Sequence, residues 1–156
     1  MVERSFKSCG DEAKKPSPEQ EVFLNVLRTA DALTRGLEDV LKPHGLSATQ
    51  YNVLRILRGA GEMGFACREI GDRMISRDPD MTRLLDRMEQ RTLITRHRQT
   101  DDRRVVCTRI TPEGMQILKD LDGPLKELHH DQLGHLGEAN LRKLASLLEA
   151  ARAGKA

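Results

Sequence analysis

Aromatic residues are scarce in this sequence, which has no tryptophan, one tyrosine and three phenylalanines. A core must therefore be built from leucine, isoleucine, valine, alanine and methionine. No run approaches the roughly 18 consecutive apolar residues that a membrane-spanning helix needs. Residues 1–7 carry charges where a secretory signal peptide needs an apolar stretch. We expect a cytoplasmic protein without a membrane partner.

Cysteine is also rare, and its three copies, Cys9, Cys67 and Cys107, include no Cys-x-x-Cys pair. An odd number without close pairs argues against a disulfide framework and a zinc knuckle, and it favours a reducing compartment. The strings typical of zinc proteases, serine hydrolases and phosphate-binding loops are absent as well. We therefore expect no enzymatic activity and no cofactor.

Basic charge is concentrated in one part of the 156-residue chain, although the net charge is only +2. Residues 68–109 hold 11 of the 18 arginines and none of the 8 lysines, and with 8 acids their net charge is +3. Arginine presents a planar fork of donors that suits phosphates and base edges. The segment therefore indicates nucleic-acid recognition, with a solvated, salt-bridged surface as the alternative.

The ends of the chain differ from this basic segment. Residues 1–16 are polar and lack periodicity, which predicts a flexible tail. Ser17, Pro18 and Gln20 form a typical helix start, and apolar residues then recur at three- and four-residue spacing. The segment 17–45 is thus predicted to be a long amphipathic helix.

The segment 46–111 begins with a pattern of short helices. Ser47 and Gln50 indicate a capping box for a second helix, and a third is predicted at about 66–74, where Ala66 supplies no capping oxygen. A turn then leads to Pro79, which suits the first position of a fourth helix.

The fourth helix is strongly amphipathic. Its apolar face has the spacing i, i+3, i+4, i+7, and it consists of Met81, Leu84, Leu85 and Met88. Arg83 and Arg87 fall on the opposite side. A helix–turn–helix with a basic outer face is typical of proteins that enter a DNA major groove.

Two strands follow the fourth helix. The runs 93–98 and 105–110 are rich in alternating or β-branched residues, and they flank a polar tip that contains Arg103 and Arg104. A β-hairpin in this place is a wing, and arginines at its tip can reach a narrow minor groove. The segment 46–111 is therefore predicted to be a winged helix-turn-helix module.

The segment 112–156 is predicted to form C-terminal helices. The first opens at Thr111 and should kink or break at Gly123-Pro124, and the last runs over about 138–152. Four residues of the last helix are expected to face inward: Leu141, Leu144, Ala145 and Leu148. Apolar helices at both ends of a basic module favour dimerisation through 17–45 and 112–156. The fold class is mainly α with a small β-wing.

The order of these motifs resembles the MarR family of bacterial dimeric winged-helix transcription factors. The resemblance covers about residues 20–152. It depends on Leu46-Ser47-Ala48-Thr49-Gln50-Tyr51, on Met81-Thr82-Arg83-Leu84-Leu85-Asp86-Arg87-Met88-Glu89, and on Asp102-Arg103-Arg104 ahead of Ile110-Thr111-Pro112-Glu113-Gly114. The last block is similar to the family's wing motif and to the helix start that follows it.

The resemblance implies a homodimeric regulator of transcription, which we expect to be a ligand-responsive repressor. Its partners would be double-stranded DNA with a pseudo-palindromic operator, a second copy of the chain, and a small aromatic effector. Asp102 would orient the tip of the wing. The residues expected to contact DNA are Arg77, Thr82, Arg83, Arg87, Arg96, Arg103 and Arg104.

Three alternatives remain open at this point. Cys67 and Cys107 lie in the basic segment and allow a redox-responsive regulator, although small buried hydrophobic residues are the simpler interpretation. His129, His130 and His135 allow a metal-responsive regulator, although histidines also suit a helix end. The third alternative is a winged-helix module that binds another protein.

Overall fold

The structure is a computed structural model that describes residues 16–76, 78–98 and 106–154. Most of the predicted tail therefore lies outside the described residues, as do Arg77 and the hairpin-tip residues Asp102, Arg103 and Arg104. The chain divides into two compact units after Ala32. Within the described ranges, no helix combines the length and the apolar character needed to cross a membrane.

Six α-helices and three strands are the main elements of the described part of the chain, which also contains three one-turn 3₁₀-helices. The helices are α1 (Pro18–Leu41), α2 (Ala48–Ala60), α3 (Cys67–Arg73), α4 (Met81–Gln90), α5 (Pro112–Leu133) and α6 (Glu138–Ala153). The strands are β1 (Phe65–Ala66), β2 (Ile94–Arg98) and β3 (Val106–Ile110). The predicted order of helices and hairpin strands is confirmed, with boundaries that differ by one or two residues.

The predicted helix starts have the expected reciprocal caps. The Ser17 amide donates to Gln20 Oε1 over 3.1 Å, and the Gln20 amide donates to Ser17 Oγ over 3.3 Å. Ser47 and Gln50 repeat the arrangement at the start of α2 over 3.1 and 3.2 Å. Each pair satisfies two backbone donors that a helix N-terminus otherwise leaves without partners.

The unit that starts at Leu33 has one continuous aliphatic core. Tyr51 and Phe65 pack against it only half-buried, in keeping with the few aromatic residues in the sequence. The core residues are Leu41, Leu46, Val53, Leu54, Leu57, Ile70, Leu84, Leu85, Met88, Leu93, Ile94, Leu118, Leu121 and Leu125. Helices α2, α4 and α5 thus share a single packed interior with β2.

The sheet has three antiparallel strands in the order β1-β3-β2. β1 pairs Phe65 with Thr108 and Ala66 with Cys107. This strand is missed by the sequence analysis because two residues cannot show an alternating pattern. β1 continues directly into α3, so its pairing with β3 connects the start of α3 to the wing.

Thr111 joins the turn after α4 to the start of α5. Its hydroxyl donates to the Thr92 carbonyl over 2.6 Å and accepts the Gly114 amide over 3.1 Å. Its own amide donates to the Leu93 carbonyl over 3.1 Å. Thr111 therefore caps α5, as predicted, and also holds by hydrogen bonds the turn that leads from α4 into the sheet.

The break expected at Gly123-Pro124 is wrong, because α5 is one continuous helix from Pro112 to Leu133. Proline removes one backbone donor, and its ring clashes with the carbonyl four residues earlier and with the N–H and Cβ of the preceding residue. Glycine at position 123 has no Cβ, so the helix can continue through Pro124. One of these clashes is therefore absent, and α5 continues past the pair.

Helix α6 buries none of its residues within the chain. Leu141 and Leu148 are half-buried, but Leu144 and Ala145 are exposed. The expectation that all four face inward is therefore wrong for the single chain. The reason is that helical spacing reports an apolar face without saying what covers it.

A substitution at Gly114 tests how closely the start of α5 packs against the turn after α4. A Cβ at this position would lie 2.4 Å from the Leu93 carbonyl oxygen and 2.9 Å from Ile110 Cγ1. We expect Gly114→Ala to lower the free energy of unfolding by about 1–3 kcal/mol, because backbone must move to make room. Urea unfolding at fixed protein concentration measures the change.

The matched control is Gly59→Ala in α2, where an added Cβ meets nothing within 4 Å. Alanine is the better helix former, so this variant should be unchanged or more stable by up to about 1 kcal/mol. If Gly114→Ala is as stable as Gly59→Ala, α5 does not pack on the turn as described.

Candidate nucleic-acid interface

Helix α4 begins two residues later than Pro79 predicts. Pro79 lies in the preceding turn, and Asp80 is the N-cap, with Oδ1 accepting the Arg83 amide over 3.2 Å. A carboxylate at a helix N-terminus both caps the backbone and suits the helix dipole. The capping oxygen, rather than the proline, determines where α4 begins.

The two sides of α4 have opposite environments. Leu84, Leu85 and Met88 are buried in the core, as predicted. Thr82, Arg83 and Arg87 are exposed on the other side. This arrangement presents one hydroxyl and two guanidinium groups to solvent from a helix that is fixed by its apolar side.

The two exposed arginines of α4 are only weakly engaged by the protein. Arg83 Nε lies 3.7 Å from Asp80 Oδ2, and both side chains are largely exposed. Within the described ranges, Arg87 has no carboxylate within ion-pair distance. Exposed ion pairs of this kind contribute little to stability, so both guanidinium groups are available to an external anion.

Arg96 on β2 is in a different situation. Its Nη2 donates to Asp86 Oδ1 over 2.6 Å and to Glu89 Oε2 over 2.5 Å, and its Nε donates to Glu89 Oε2 over 2.8 Å. Its side chain is 26% exposed. The hydrogen bond to Glu89 is the main cause that raises the pKa of the Arg96 guanidinium.

The end of α4 is held by a second arginine. Arg91 Nη1 donates to the Gly45 carbonyl over 2.7 Å, and Nη2 donates to the His44 carbonyl over 3.2 Å. These carbonyls belong to the connection between α1 and α2. The C-terminus of α4 is thereby fixed to the start of the helix–turn–helix.

A cavity of about 300 Å³ lies among α1, α2, α5 and the turn after α3. The polar side chains that line it include Thr34, Tyr51, Arg55 and His129. Burial raises the pKa of the Tyr51 phenol, opposed by the positive charges of Arg55 and Arg58. The phenol is therefore a neutral donor near a guanidinium, a combination that suits a hydroxylated or anionic small molecule.

Asn52 connects this cavity to the segment that precedes α4. Its side-chain oxygen accepts the Ile75 amide over 2.9 Å, and both residues line the cavity. Asn52 is itself buried. Asn52 and Arg55 are not predicted from the sequence, because neither belongs to a recognisable motif and the cavity forms only when several elements pack.

The residues of the redox and metal alternatives lie in separate places. Cys107 is buried on β3, and Cys67 is half-buried at the start of α3. His129, His130 and His135 are all exposed, and His129 also lines the cavity. Among the described residues, no group of three or more His, Cys, Asp or Glu side chains is placed to hold a metal ion.

Comparison with known proteins agrees with this geometry. The sequence model of the MarR family matches residues 46–106. A MarR transcription factor from Planctomyces limnophilus is 41% identical, with 86% of this chain and 98% of that chain covered and a TM-score of 0.66. The HTH-type transcriptional repressor IacR of Pseudomonas putida is 29% identical over 141 residues, 90% of this chain and 81% of its own length.

A third comparison concerns the fold. A mutant of MarR from E. coli, in complex with operator DNA, is 22% identical and has a TM-score of 0.76, with 84% of this chain and 93% of that chain covered.

A helix–turn–helix, an adjoining β-hairpin and an exposed basic side of α4 define a winged-helix DNA-binding protein. The chain belongs to the MarR family and is a DNA-binding transcription regulator.

Asp80 provides a test of how α4 is positioned. We expect Asp80→Ala to lower the free energy of unfolding by about 1 kcal/mol, because the Arg83 amide loses its capping oxygen. Asp80→Asn is the matched control, since its side-chain oxygen can still cap while its charge is gone. Thermal unfolding of both variants checks this expectation, and equal losses in the two would contradict a capping role for Asp80.

Proposed function

We propose that the protein is a ligand-responsive repressor that binds a pseudo-palindromic DNA operator as a homodimer. The observation that carries this proposal is the exposed, weakly paired Arg83 and Arg87 on a helix whose opposite side is buried. Such a helix can enter a major groove without rearranging its own packing. Arg77, Arg103 and Arg104 are proposed as further DNA contacts, with Asp102 orienting the wing.

Exposed apolar side chains support the homodimer. In the unit that ends at Ala32, Val22, Phe23, Leu24, Val26 and Leu27 are all exposed. In the other unit, Leu144 and Leu147 of α6 are exposed. Apolar surface of this kind is typical of an interface between protein chains. We assign dimerisation to residues 17–45 and 112–156, and DNA binding to 46–111.

The proposal is tested by selecting duplexes from a random-sequence pool with the purified protein. A dimer with one winged helix per subunit should enrich a pseudo-palindrome whose half-sites are about one helical turn apart. The logarithm of the binding constant should fall with the logarithm of salt by about 0.9 for each phosphate neutralised. Salt-sensitive binding that enriches no sequence would contradict operator recognition.

Single variants assign the contacts on the selected duplex. We expect Arg83→Ala, Arg87→Ala and Arg104→Ala each to weaken binding by about 1–3 kcal/mol, because each removes a base or phosphate contact. Fluorescence anisotropy with labelled duplex measures the affinity.

Arg4→Ala is the control for these variants, since it removes the same charge from the predicted tail, outside the segments assigned to DNA binding and dimerisation. The control should bind as the unaltered protein does. An unchanged affinity of Arg104→Ala for the duplex would show that the wing does not contact DNA. An unchanged affinity of both Arg83→Ala and Arg87→Ala would show that α4 does not contact DNA.

We further propose that the effector is a small hydroxylated aromatic acid that occupies the cavity beside Tyr51 and Arg55. The phenol and the guanidinium provide partners for a hydroxyl and a carboxylate, and apolar side chains such as Leu37 and Met74 also line the cavity. The hydrogen bond from Ile75 to Asn52 lies in the wall of the cavity. Occupancy can therefore shift the turn that leads into α4.

The effector proposal is tested with 4-hydroxybenzoate as the probe and phenol as its analogue without a carboxylate. We expect 4-hydroxybenzoate to release the selected duplex at lower concentration than phenol. Arg55→Met should weaken its effect about tenfold, because a charge-assisted hydrogen bond is lost. Titration of the labelled complex measures both effects.

Arg58→Met is the matched control, because Arg58 lies on the same helix but pairs with Asp122 over 2.9 Å. It should leave the response to 4-hydroxybenzoate unchanged. Equal responses of Arg55→Met and the unaltered protein would contradict the role of Arg55.

A further inference from the structure

We propose that Arg96 is a positioning residue that fixes the first wing strand to α4 and neutralises carboxylate charge beside its DNA-facing side. This assignment replaces the direct DNA contact that the family resemblance implies for Arg96, and it rests on the proposed binding of DNA by α4. The residues that act with Arg96 are Asp86 and Glu89.

The alternation of β2 explains why Arg96 reaches α4. Ile94 is buried in the core, and residues two apart in a strand share a face. Arg96 therefore leaves the sheet on the side that packs on the helices. Asp86 and Glu89 are three residues apart on α4, so they also share a face. One guanidinium can then bridge both carboxylates.

The backbone of β2 takes part in the same connection. β2 is at one end of the strand order β1-β3-β2, so its outer backbone groups have no neighbouring strand within the described sheet. The Arg96 amide donates to Glu89 Oε1 over 3.1 Å. Glu89 thus holds the strand by its main chain and its side chain together, and it covers a polar group at the sheet edge.

The charges indicate what the connection does for DNA binding. Without Arg96, Asp86 and Glu89 would be two unpaired carboxylates on the polar side of the helix that carries Arg83 and Arg87. Carboxylates near a phosphate backbone repel it. Arg96 cancels one of the two charges and draws both acids toward the sheet.

The geometry also argues against a phosphate contact by Arg96 itself. Its guanidinium makes three short hydrogen bonds to carboxylates, and its side chain is half-buried. If Arg96 bound a phosphate instead, its guanidinium would give up two carboxylates for one anion. Asp86 and Glu89 would then both lose their partner. Arg83 and Arg87 are exposed and need no such exchange.

The decisive comparison is between Arg96→Met and the double variant Glu89→Met/Arg96→Met, on a duplex that the unaltered protein has selected. The single variant leaves both Asp86 and Glu89 without Arg96. The double variant keeps the net charge, replaces the Arg96–Glu89 pair by apolar side chains and leaves only Asp86 without its partner. We expect the single variant to bind about tenfold more weakly and the double variant to recover to within about threefold.

The salt dependence separates positioning from contact. A positioning role predicts that the double variant, which keeps the net charge, also keeps the slope of the unaltered protein, with Arg4→Met as the control for loss of one charge. A phosphate contact predicts a slope smaller by about 0.9 and a double variant as weak as the single one. That pair of results would overturn the proposal.

The variant Arg96→Lys provides a second test of positioning against phosphate contact. Lysine keeps the charge and can touch a phosphate, but it lacks the fork that bridges two carboxylates. The proposal therefore predicts an affinity for Arg96→Lys between those of Arg96→Met and the unaltered protein, because the charge is kept and the bridge is lost. Affinity close to that of the unaltered protein would favour a phosphate contact and count against positioning.

A measurement without DNA keeps this proposal separate from the proposed function. The Arg96 Nε–H signal in a ¹⁵N NMR spectrum, assigned by its loss in Arg96→Lys, should be protected from exchange in the free protein and should shift little when the selected duplex is added. Rapid exchange in the free protein would overturn the positioning role even if the unaltered protein selects an operator. Failure to select any duplex, with a protected signal, would instead reject operator binding.

Discussion

The burial of one side of α4 is the constraint on which the rest of the structure depends. Leu84, Leu85 and Met88 are almost fully enclosed by the aliphatic core. A helix fixed by three such residues cannot rotate without exposing apolar surface to water. The exposure of Thr82, Arg83 and Arg87 follows directly from this packing. The basic side of α4 is thus a consequence of the core as much as of its own residues.

Polar contacts at both ends of α4 and along one flank complete its positioning. Asp80 caps its first turn, and Arg91 binds two carbonyls at the connection between α1 and α2. Thr111 holds the turn that follows α4. The Asp80 contact lies within α4, whereas the Arg91 and Thr111 contacts join it to two different neighbouring segments. The orientation of α4 is therefore fixed by several parts of the winged-helix module. Such rigid positioning is what a helix needs if it is to match the geometry of a DNA groove.

The cavity beside Tyr51 is connected to α4 through the turn at Ile75. Its wall includes the turn at Ile75, which Asn52 holds by one hydrogen bond. A single hydrogen bond is a modest restraint compared with the packed side of α4. The turn before α4 is therefore easier to shift than α4 itself. A regulator can use this difference, since a small displacement at the entrance of the helix changes where its basic side points.

The sequence by itself determined the starts of α1, α2 and α5, the aliphatic core, the amphipathic α4 and the hairpin strands, because these depend on neighbours a few residues apart. Ser17, Ser47 and Thr111 cap helices through side chains whose targets are three residues away. Tertiary structure alone decided that Arg96 bridges two acids of α4, that Asn52 holds a distant turn, and that a two-residue strand joins the sheet. These features require different elements of the fold to meet. Residue spacing cannot report such contacts, because the partners are chosen by packing.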